Sequence, residues 1–208
     1  MKRKPFFLSI VLFVLSISLV SCNNSNQKTS TGELTYSYIT PNIAFSIINI
    51  YPHDTSAFTQ GLQYYKGKLL ESTGDYQNSS LRIVDLHSGN VLKKHLMGSQ
   101  KIFGEGATVL NQKIFQLTWK NNIVFIYDEK NINMSISTLS WPKEGWGITN
   151  DGINLIVSDG SSFLYFVDPK TFQIIRKIQV IDNNQPQERL NELEFTNDGI
   201  YANVFETN

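Results

Sequence analysis

The sequence predicts an all-β fold of the β-propeller type, and two observations support this prediction. Beyond about residue 40, short apolar or alternating runs are separated by turn residues every 8 to 12 positions, and helical periodicity is hard to find. Four related motifs also recur, with Gln60, Glu105, Trp146 and Asn191 at equivalent positions that lie 45, 41 and 45 residues apart. Repeats of this length with several short strands are typical of propeller blades, whose equivalent positions meet around one central channel.

Each motif opens one unit of the repeat, and the first three units are predicted to contain four strands each. The motifs are Phe58-Thr59-Gln60-Gly61, Phe103-Gly104-Glu105-Gly106, Glu144-Gly145-Trp146-Gly147 and Asn191-Glu192-Leu193-Glu194. The predicted strands lie at 59–64, 68–72, 80–86 and 91–96 in the first unit, at 106–110, 113–117, 123–127 and 134–139 in the second, and at 146–149, 154–158, 163–167 and 173–180 in the third. The fourth unit contains two, at 192–195 and 200–204.

Turn residues separate these strands. Residues 65–68 and 87–90 contain glycine between polar residues and are predicted to be hairpin turns. Asp85, Asp128 and Asp168 follow corresponding strands of the three units. We expect each of these carboxylates to start a turn by bonding to the backbone just after it.

An additional strand is predicted at 43–50, ahead of the first unit. A propeller closes into a ring, because an open edge strand leaves backbone groups unpaired. We therefore expect residues 43–50 to form the outer strand of the last blade and to join the first blade to the last. The domain at 41–208 then holds about three and a half blades plus this ring-closing strand, and is expected to be truncated at its C-terminal end. A four-bladed ring is the alternative.

The first 21 residues resemble a bacterial lipoprotein signal peptide. Residues 2–4 are basic, and the apolar run at 6–20 is too short to span a membrane comfortably. The run ends in Leu19-Val20-Ser21-Cys22, which resembles a lipobox, and Cys22 is the only cysteine in the chain. We expect cleavage before Cys22, lipidation of Cys22, a flexible tether at 22–40, and attachment to a membrane of the bacterial cell envelope. An ordinary secretory signal with an incidental cysteine is the alternative.

The composition argues against several classes of function. The formal net charge is zero, which does not favour a nucleic-acid-binding protein, and three histidines with one cysteine leave little for a metal site. No cofactor is expected, and we expect a monomer. The serines of Ser158-Asp159-Gly160-Ser161-Ser162 lack a matching histidine for a hydrolase triad. A set of further acidic residues is expected to be solvated at strand ends and turns: Glu144, Glu192, Glu194 and Asp198.

Nine sequence blocks resemble, in order and spacing, the plant and bacterial type of glutaminyl-peptide cyclotransferases. The resemblance covers about residues 45–205. The blocks are Tyr51-Pro52-His53-Asp54 with Ala57-Phe58-Thr59-Gln60-Gly61-Leu62, Leu70-Glu71-Ser72-Thr73-Gly74 with Ser79-Ser80-Leu81-Arg82, Phe103-Gly104-Glu105-Gly106, Gln116-Leu117-Thr118-Trp119-Lys120, Glu144-Gly145-Trp146-Gly147, Ser158-Asp159-Gly160-Ser161-Ser162, Val167-Asp168-Pro169, Leu190-Asn191-Glu192-Leu193-Glu194 and Tyr201-Ala202-Asn203-Val204.

The resemblance implies a five-bladed propeller that converts the N-terminal glutamine of peptides or proteins to pyroglutamate and releases ammonia. In this reaction the α-amine attacks the side-chain amide carbon of the same residue. The protein therefore has to fold the substrate back on itself, move a proton from the amine to the leaving nitrogen, and stabilise an oxyanion. A non-catalytic propeller that binds peptides at its channel mouth, or an inactive fragment, is the alternative.

Glu105 is the candidate proton shuttle, because it lies between two glycines at the start of an inner strand. Burial near aromatic side chains would raise its pKa. A turn carboxylate without a special role is the alternative from the sequence alone. The resemblance places two amide side chains and an aromatic wall in the same pocket, while Trp141 is expected on the surface or in a loop. The predicted substrate-binding residues are Phe58, Gln60, Phe103, Trp119, Trp146, Asn191 and Phe205.

The sequence departs from the family at two positions. The family usually has tryptophan at the position of Phe205, and phenylalanine keeps the apolar ring but lacks the indole N–H. A pocket lysine of the family, which lies in the last blade, has no counterpart before Asn208.

Overall fold

The computed structural model describes residues 39–98 and 100–207, and within these ranges the chain forms β-strands and connecting loops without a helix. No helix in the described ranges is long and apolar enough to cross a membrane. The predicted signal peptide, Cys22 and most of the predicted tether lie outside the described residues, so these interpretations stay predictions.

The strands form three four-stranded antiparallel sheets and two hairpins. Within each four-stranded sheet the strands follow one another in sequence order, as they do in a propeller blade. The first sheet contains β1 (Thr59–Tyr65), β2 (Lys68–Thr73), β3 (Ser80–Asp85) and β4 (Val91–Leu96); the second contains β5 (Gly104–Leu110), β6 (Lys113–Thr118), β7 (Ile123–Asp128) and β8 (Ser137–Ser140); the third contains β9 (Ile148–Asn150), β10 (Leu155–Ser158), β11 (Phe163–Val167) and β12 (Ile174–Gln179). The hairpins pair β13 (Ile181–Asp182) with β14 (Gln185–Pro186), and β15 (Leu190–Thr196) with β16 (Gly199–Val204).

The prediction of an all-β fold built from repeated units is confirmed. Every strand predicted within the four units overlaps an observed one. The hairpin of β13 and β14 was not predicted, because its two-residue strands are too short to show an alternating pattern. The number of five blades stays a prediction.

The strand predicted at 43–50 is wrong for this structure. Residues 39–53 form no strand, and Ile43, Phe45 and Ile48 are 77%, 88% and 88% exposed. A β-strand exists only through backbone hydrogen bonds to a neighbour, and no described strand pairs with this segment. Polar contacts are made on either side of the predicted strand: the backbone N–H of Thr40 donates to Asn183 Oδ1 at 3.1 Å in the turn between β13 and β14, and His53 Nε2 lies 3.0 Å from Glu71 Oε1 of β2.

The predicted turns are confirmed. Lys66 and Gly67 have φ angles of 50° and 79°, which are suited to a tight hairpin between β1 and β2. The carboxylates at the ends of the third strands accept backbone N–H groups as expected. Asp85 Oδ1 accepts from Ser88 at 2.8 Å, Asp128 Oδ1 from Lys130 at 2.8 Å, and Asp168 Oδ1 from Thr171 at 2.8 Å.

The hydrophobic core lies between the faces of successive sheets. Leu70 and Leu81 of the first sheet form a buried cluster with Val109, Ile114 and Tyr127 of the second. Similar clusters join the second sheet to the third and the third sheet to the last hairpin. The second and third sheets are therefore covered on both faces, and every residue of β5 is buried. This face-to-face packing sets the order of the sheets around a common axis.

Trp141 belongs to this core, and the prediction that it lies on the surface is wrong. It is in the loop between β8 and β9, as expected, but only 1% of it is exposed. Its ring packs edge-on against Tyr165 and Phe172 with centroids 5.6 Å away in both cases. The adjacent Pro142 interrupts the local pattern, so the sequence around Trp141 does not show which way the side chain faces.

The first strands of the four units, β1, β5, β9 and β15, lie side by side around the axis. Each contacts the next, and β15 also contacts β1. The backbones approach so closely that a Cβ atom at Gly106 would lie 2.7 Å from the backbone nitrogen of Ile148, and one at Gly147 would lie 2.1 Å from the carbonyl oxygen of Asn191. Glycine at these positions is what allows the inner strands to meet.

Candidate active site

The candidate site is positioned by irregularities in the inner strands. The pairing register shifts between Thr59 and Gly61, between Gly104 and Ala107, and between Leu190 and Leu193. The residues at these shifts include Gln60, Glu105 and Asn191. Extra residues of this kind redirect side chains out of the regular alternation of a strand. In the first, second and fourth units the repeated motif is thus the place where an inner strand departs from regular alternation, whereas Trp146 of the third motif lies just before β9.

A cavity of about 280 Å³ opens at this end of the axis. All eight residues that the sequence analysis assigned to the pocket line it, although they come from separate parts of the chain. They are Phe58, Gln60, Phe103, Glu105, Trp119, Trp146, Asn191 and Phe205. The structure therefore brings the predicted set together, while the role of each residue stays a prediction.

Aromatic rings form most of the cavity wall. Phe103 makes edge-to-face contacts with Phe58 at 6.2 Å and with Trp119 at 5.7 Å between ring centroids. Trp146 makes a similar contact with Phe205 at 5.6 Å. The wall thus consists of two aromatic groups, and such edge-to-face pairs stabilise one another beyond their buried area.

Glu105 is the acid inside this wall. It is 7% exposed, and its backbone carbonyl accepts a hydrogen bond from the hydroxyl of Ser72. The next residue, Gly106, donates its N–H to the carbonyl oxygen of Trp146 at 2.8 Å, which ties β5 to the third unit. Burial, and secondarily the negative charge of Glu144, raises the pKa of Glu105 to about 9. The side chain is consequently a neutral carboxylic acid at pH 7.

Comparison with known proteins identifies the family. A model of glutamine cyclotransferases matches residues 13–208. The chain belongs to the glutamine cyclotransferase family. It is 38% identical to the glutaminyl-peptide cyclotransferase of Arabidopsis thaliana over 209 residues, which cover 99% of this chain and 64% of that protein.

Solved structures agree with this assignment. The crystal structure of Myxococcus xanthus glutaminyl cyclase matches with a TM-score of 0.71 at 35% identity, covering 78% of this chain and 68% of that one. The WD40 domain of Neurospora crassa Pan2 matches with a TM-score of 0.52 at 14% identity, covering 69% of this chain and 41% of that one, and this likeness concerns the fold alone. The chain spans about two thirds of the length of the first two relatives.

In this glutamine cyclotransferase family member, a glycine leaves room for the side chain of Gln60, and a serine holds the backbone carbonyl of Asn191. A Cβ atom at Gly74 would lie 2.7 Å from Gln60 Cγ and 2.1 Å from Phe103 Cε1, so glycine leaves room for both. The carbonyl oxygen of Asn191 accepts the hydroxyl of Ser158 at 2.7 Å, and the same hydroxyl accepts the N–H of Gly147 at 2.7 Å. The segments carrying Trp146 and Asn191 are thereby fixed to one another.

Glu192 is a buried acid that the sequence analysis misplaced, because it was expected to be solvated. Its Oε1 accepts the backbone N–H of Leu62 at 3.0 Å, and its Oε2 is buried without a hydrogen-bond partner among the described residues. Burial raises the pKa of Glu192 well above its usual value. A Cβ atom at Gly106 would lie 2.9 Å from Oε2, so the carboxyl fills space next to that glycine on the axis.

The repeat itself contains the signal that finds Glu192. Aligning the four motifs on Gln60, Glu105, Trp146 and Asn191 places glycine at the next position in the first three units and Glu192 in the fourth. Glycine in the first three units allows close approach of the inner backbones, and the fourth unit supplies a carboxyl group that lies next to Gly106. An exception within a repeat is more informative than the residue type alone.

Within the described residues, no group of three or more His, Cys, Asp or Glu side chains is placed to hold a metal ion.

Proposed function

We propose that this chain cyclises the N-terminal glutamine of peptides or proteins to pyroglutamate and releases ammonia. The observation that supports this most directly is the position of Glu105, a buried carboxyl group in a cavity walled by aromatic rings and flanked by the amides of Gln60 and Asn191. Family membership supports the same reaction class, and the Arabidopsis relative carries the name glutaminyl-peptide cyclotransferase. The chain spans 64% of the length of that relative.

The cavity holds the substrate in a reactive conformation. The N-terminal glutamine side chain enters between the two aromatic groups, which exclude water and favour a folded-back conformation. Nucleophile and electrophile belong to the same residue, so this conformation supplies the proximity that a two-molecule reaction would lack. The amide groups of Gln60 and Asn191 donate hydrogen bonds to the carbonyl oxygen as it becomes an oxyanion.

Glu105 then moves one proton. The neutral α-amine attacks the side-chain amide carbon, a nitrogen–carbon bond forms, and the carbonyl oxygen takes the electron pair. The protonated Glu105 donates its proton to the amide nitrogen, the carbon–nitrogen bond breaks, and ammonia leaves. The resulting carboxylate accepts the extra proton of the new ring nitrogen, so Glu105 returns to its starting state.

The proposal predicts ammonia release from a peptide with N-terminal glutamine. The rate should be highest between about pH 8, where α-amines lose their proton, and the pKa of about 9 of Glu105, above which the acid is ionised. The measurement is coupled detection of ammonia from pH 6 to 10. Two matched peptides serve as controls: one with an acetylated N-terminus, which has no free amine, and one that begins with asparagine, whose ring would be one atom smaller.

The outcome distinguishes the two candidate functions. Ammonia from the glutamine peptide alone supports the enzyme. Calorimetric binding of the glutamine peptide without ammonia at any pH would instead establish a peptide-binding propeller, and the catalytic proposal would be abandoned.

We also infer that Cys22 carries a lipid that anchors the domain to a membrane of the bacterial cell envelope. The lipobox-like Leu19-Val20-Ser21-Cys22 and the single cysteine support this inference. Metabolic labelling with a radioactive fatty acid should mark the protein, and Cys22→Ser should abolish the label because the acceptor sulfur is gone. Equal labelling of the variant would overturn the inference.

A further inference from the structure

Glu144 occupies an unexpected place in the repeat. The residue two positions before Gln60 is Phe58, and the residue two positions before Glu105 is Phe103. Both phenylalanines line the cavity wall. In the third unit the same position, two residues before Trp146, holds Glu144. A charged side chain therefore stands where the first two units place an aromatic ring.

The contacts of Glu144 show what replaces the missing ring. Its Oε2 atom accepts the indole Nε1–H of Trp119 at 2.8 Å and that of Trp146 at 3.0 Å. Its Oε1 atom lies 3.7 Å from Lys120 Nζ, and this ammonium group lies 3.9 Å from the centre of the Trp119 ring. One carboxylate thus makes charge-assisted hydrogen bonds to both cavity tryptophans.

These bonds connect the two halves of the cavity wall. Phe58, Phe103 and Trp119 form one aromatic group, and Trp146 and Phe205 form the other. Each indole plane is fixed about its Cβ–Cγ bond by the direction of its N–H, so a shared acceptor sets the two planes relative to one another. Rotation of either ring would break its bond to Glu144.

We propose that Glu144 is a positioning residue that fixes the indole planes of Trp119 and Trp146 and so maintains the shape of the cavity between the two aromatic groups. This inference rests on the proposed function for its effect on turnover. The fixed orientation of the two indoles is tested without substrate. A failure of this structural claim can therefore be distinguished from a failure of the proposed enzymatic activity.

Two variants separate the hydrogen-bond acceptor from the charge. Glu144→Gln keeps an oxygen that can accept both indole N–H groups, whereas Glu144→Ala keeps neither the acceptor nor the charge. Small displacements of positioning groups lower rates by up to about a hundredfold. We expect Glu144→Ala to lower kcat/KM for ammonia release at least about tenfold with a raised KM, and Glu144→Gln to stay within about threefold of the parent.

The geometric test uses the three indole N–H signals of the chain in a nitrogen–proton correlation spectrum. Trp141 is an internal control, because its Nε1–H donates to the backbone carbonyl oxygen of Glu144 at 3.0 Å and keeps this acceptor in every variant. In Glu144→Ala the signals of Trp119 and Trp146 should shift and exchange faster with solvent, while that of Trp141 stays in place. Glu144→Gln should restore the protection of both.

Glu129→Gln is the matched control variant. Glu129 also accepts two side-chain hydrogen bonds, from Tyr65 and Lys66, but it lies away from the cavity. Glu129→Gln should change neither the indole N–H signals of Trp119 and Trp146 nor the KM for the peptide. Unshifted signals of Trp119 and Trp146 in Glu144→Ala would overturn the proposal, as would an equal loss of activity in Glu144→Gln and Glu144→Ala, which would assign the effect to charge.

Discussion

Replacing Glu105 by glutamine is expected to lower the rate of ammonia release at least about a hundredfold, because general acid–base catalysis contributes 10² to 10⁴ in rate. The amide of glutamine keeps the size and most contacts of the acid but has no proton to give to the leaving nitrogen. The measurement is kcat for a peptide with N-terminal glutamine at about pH 8.5, together with its KM. We expect KM to change much less than kcat, since the walls of the cavity are untouched.

The same substitution is expected to stabilise the fold at alkaline pH. In the folded chain the pKa of Glu105 is raised from 4.5 to about 9, so the unfolded chain releases a proton that the folded chain keeps. The parent therefore loses stability as the pH rises from about 4.5 toward 9, on the order of 1.4 kcal/mol for each pH unit from this group. Glu105→Gln removes that loss and should unfold at a higher urea concentration than the parent at pH 8.

We therefore expect Glu105→Gln to be less active and more stable than the parent. Replacement of a carboxylate with only a structural role would not lower activity and raise stability together. Glu188→Gln, which changes an exposed acid in the same way, should alter neither. If the activity of Glu105→Gln stayed within threefold of the parent, Glu105 would not be the proton shuttle, regardless of the measured change in stability.

The pocket was predictable from the sequence because the fold is a repeat. Gln60, Glu105, Trp146 and Asn191 lie more than 40 residues apart from one to the next, and no local pattern relates them. Their equivalent positions in the repeat relate them, since equivalent residues of successive blades meet at the axis. The resemblance to the cyclotransferases placed the amides of Gln60 and Asn191 in the pocket and added Phe58, Phe103, Trp119 and Phe205, and all of these line the same cavity.

What the sequence did not reveal depends on contacts between units. Residues 43–50 alternate well enough for a strand, but strand formation needs a partner that the described residues do not provide. Glu144 and Glu192 look like ordinary surface acids by residue type. The first binds two indoles from different units, and the second lies in the space beside Gly106 on β5. Neither environment is encoded within a window of adjacent residues.

Glu192→Gln is expected to reduce the dependence of stability on pH. Burial raises the pKa of Glu192 in the folded chain, so stability from this group is fully present below about pH 4.5 and is lost as the pH rises toward the folded-state value. Glutamine keeps an oxygen for the N–H of Leu62 and puts an NH2 group where the protonated acid has its O–H, so the fit on the axis is preserved. The free energy of unfolding at pH 8 should rise relative to the parent by more than about 1 kcal/mol, and at pH 4 it should change little.

Urea unfolding at pH 4, 6 and 8 measures this difference. Glu129→Gln is the control. It removes an ion pair with the exposed Lys66, whose Nζ lies 2.8 Å from Glu129 Oε1. Loss of this ion pair should leave the change in unfolding free energy between pH 6 and pH 8 the same as in the parent. Glu192→Ala should behave oppositely to Glu192→Gln, since it removes the acceptor of the Leu62 N–H and leaves a void beside Gly106. If Glu192→Gln lost stability with rising pH as steeply as the parent, the carboxyl would have to be ionised in the folded chain. The acid on the axis would then require a compensating cation or water, in place of the proton inferred here.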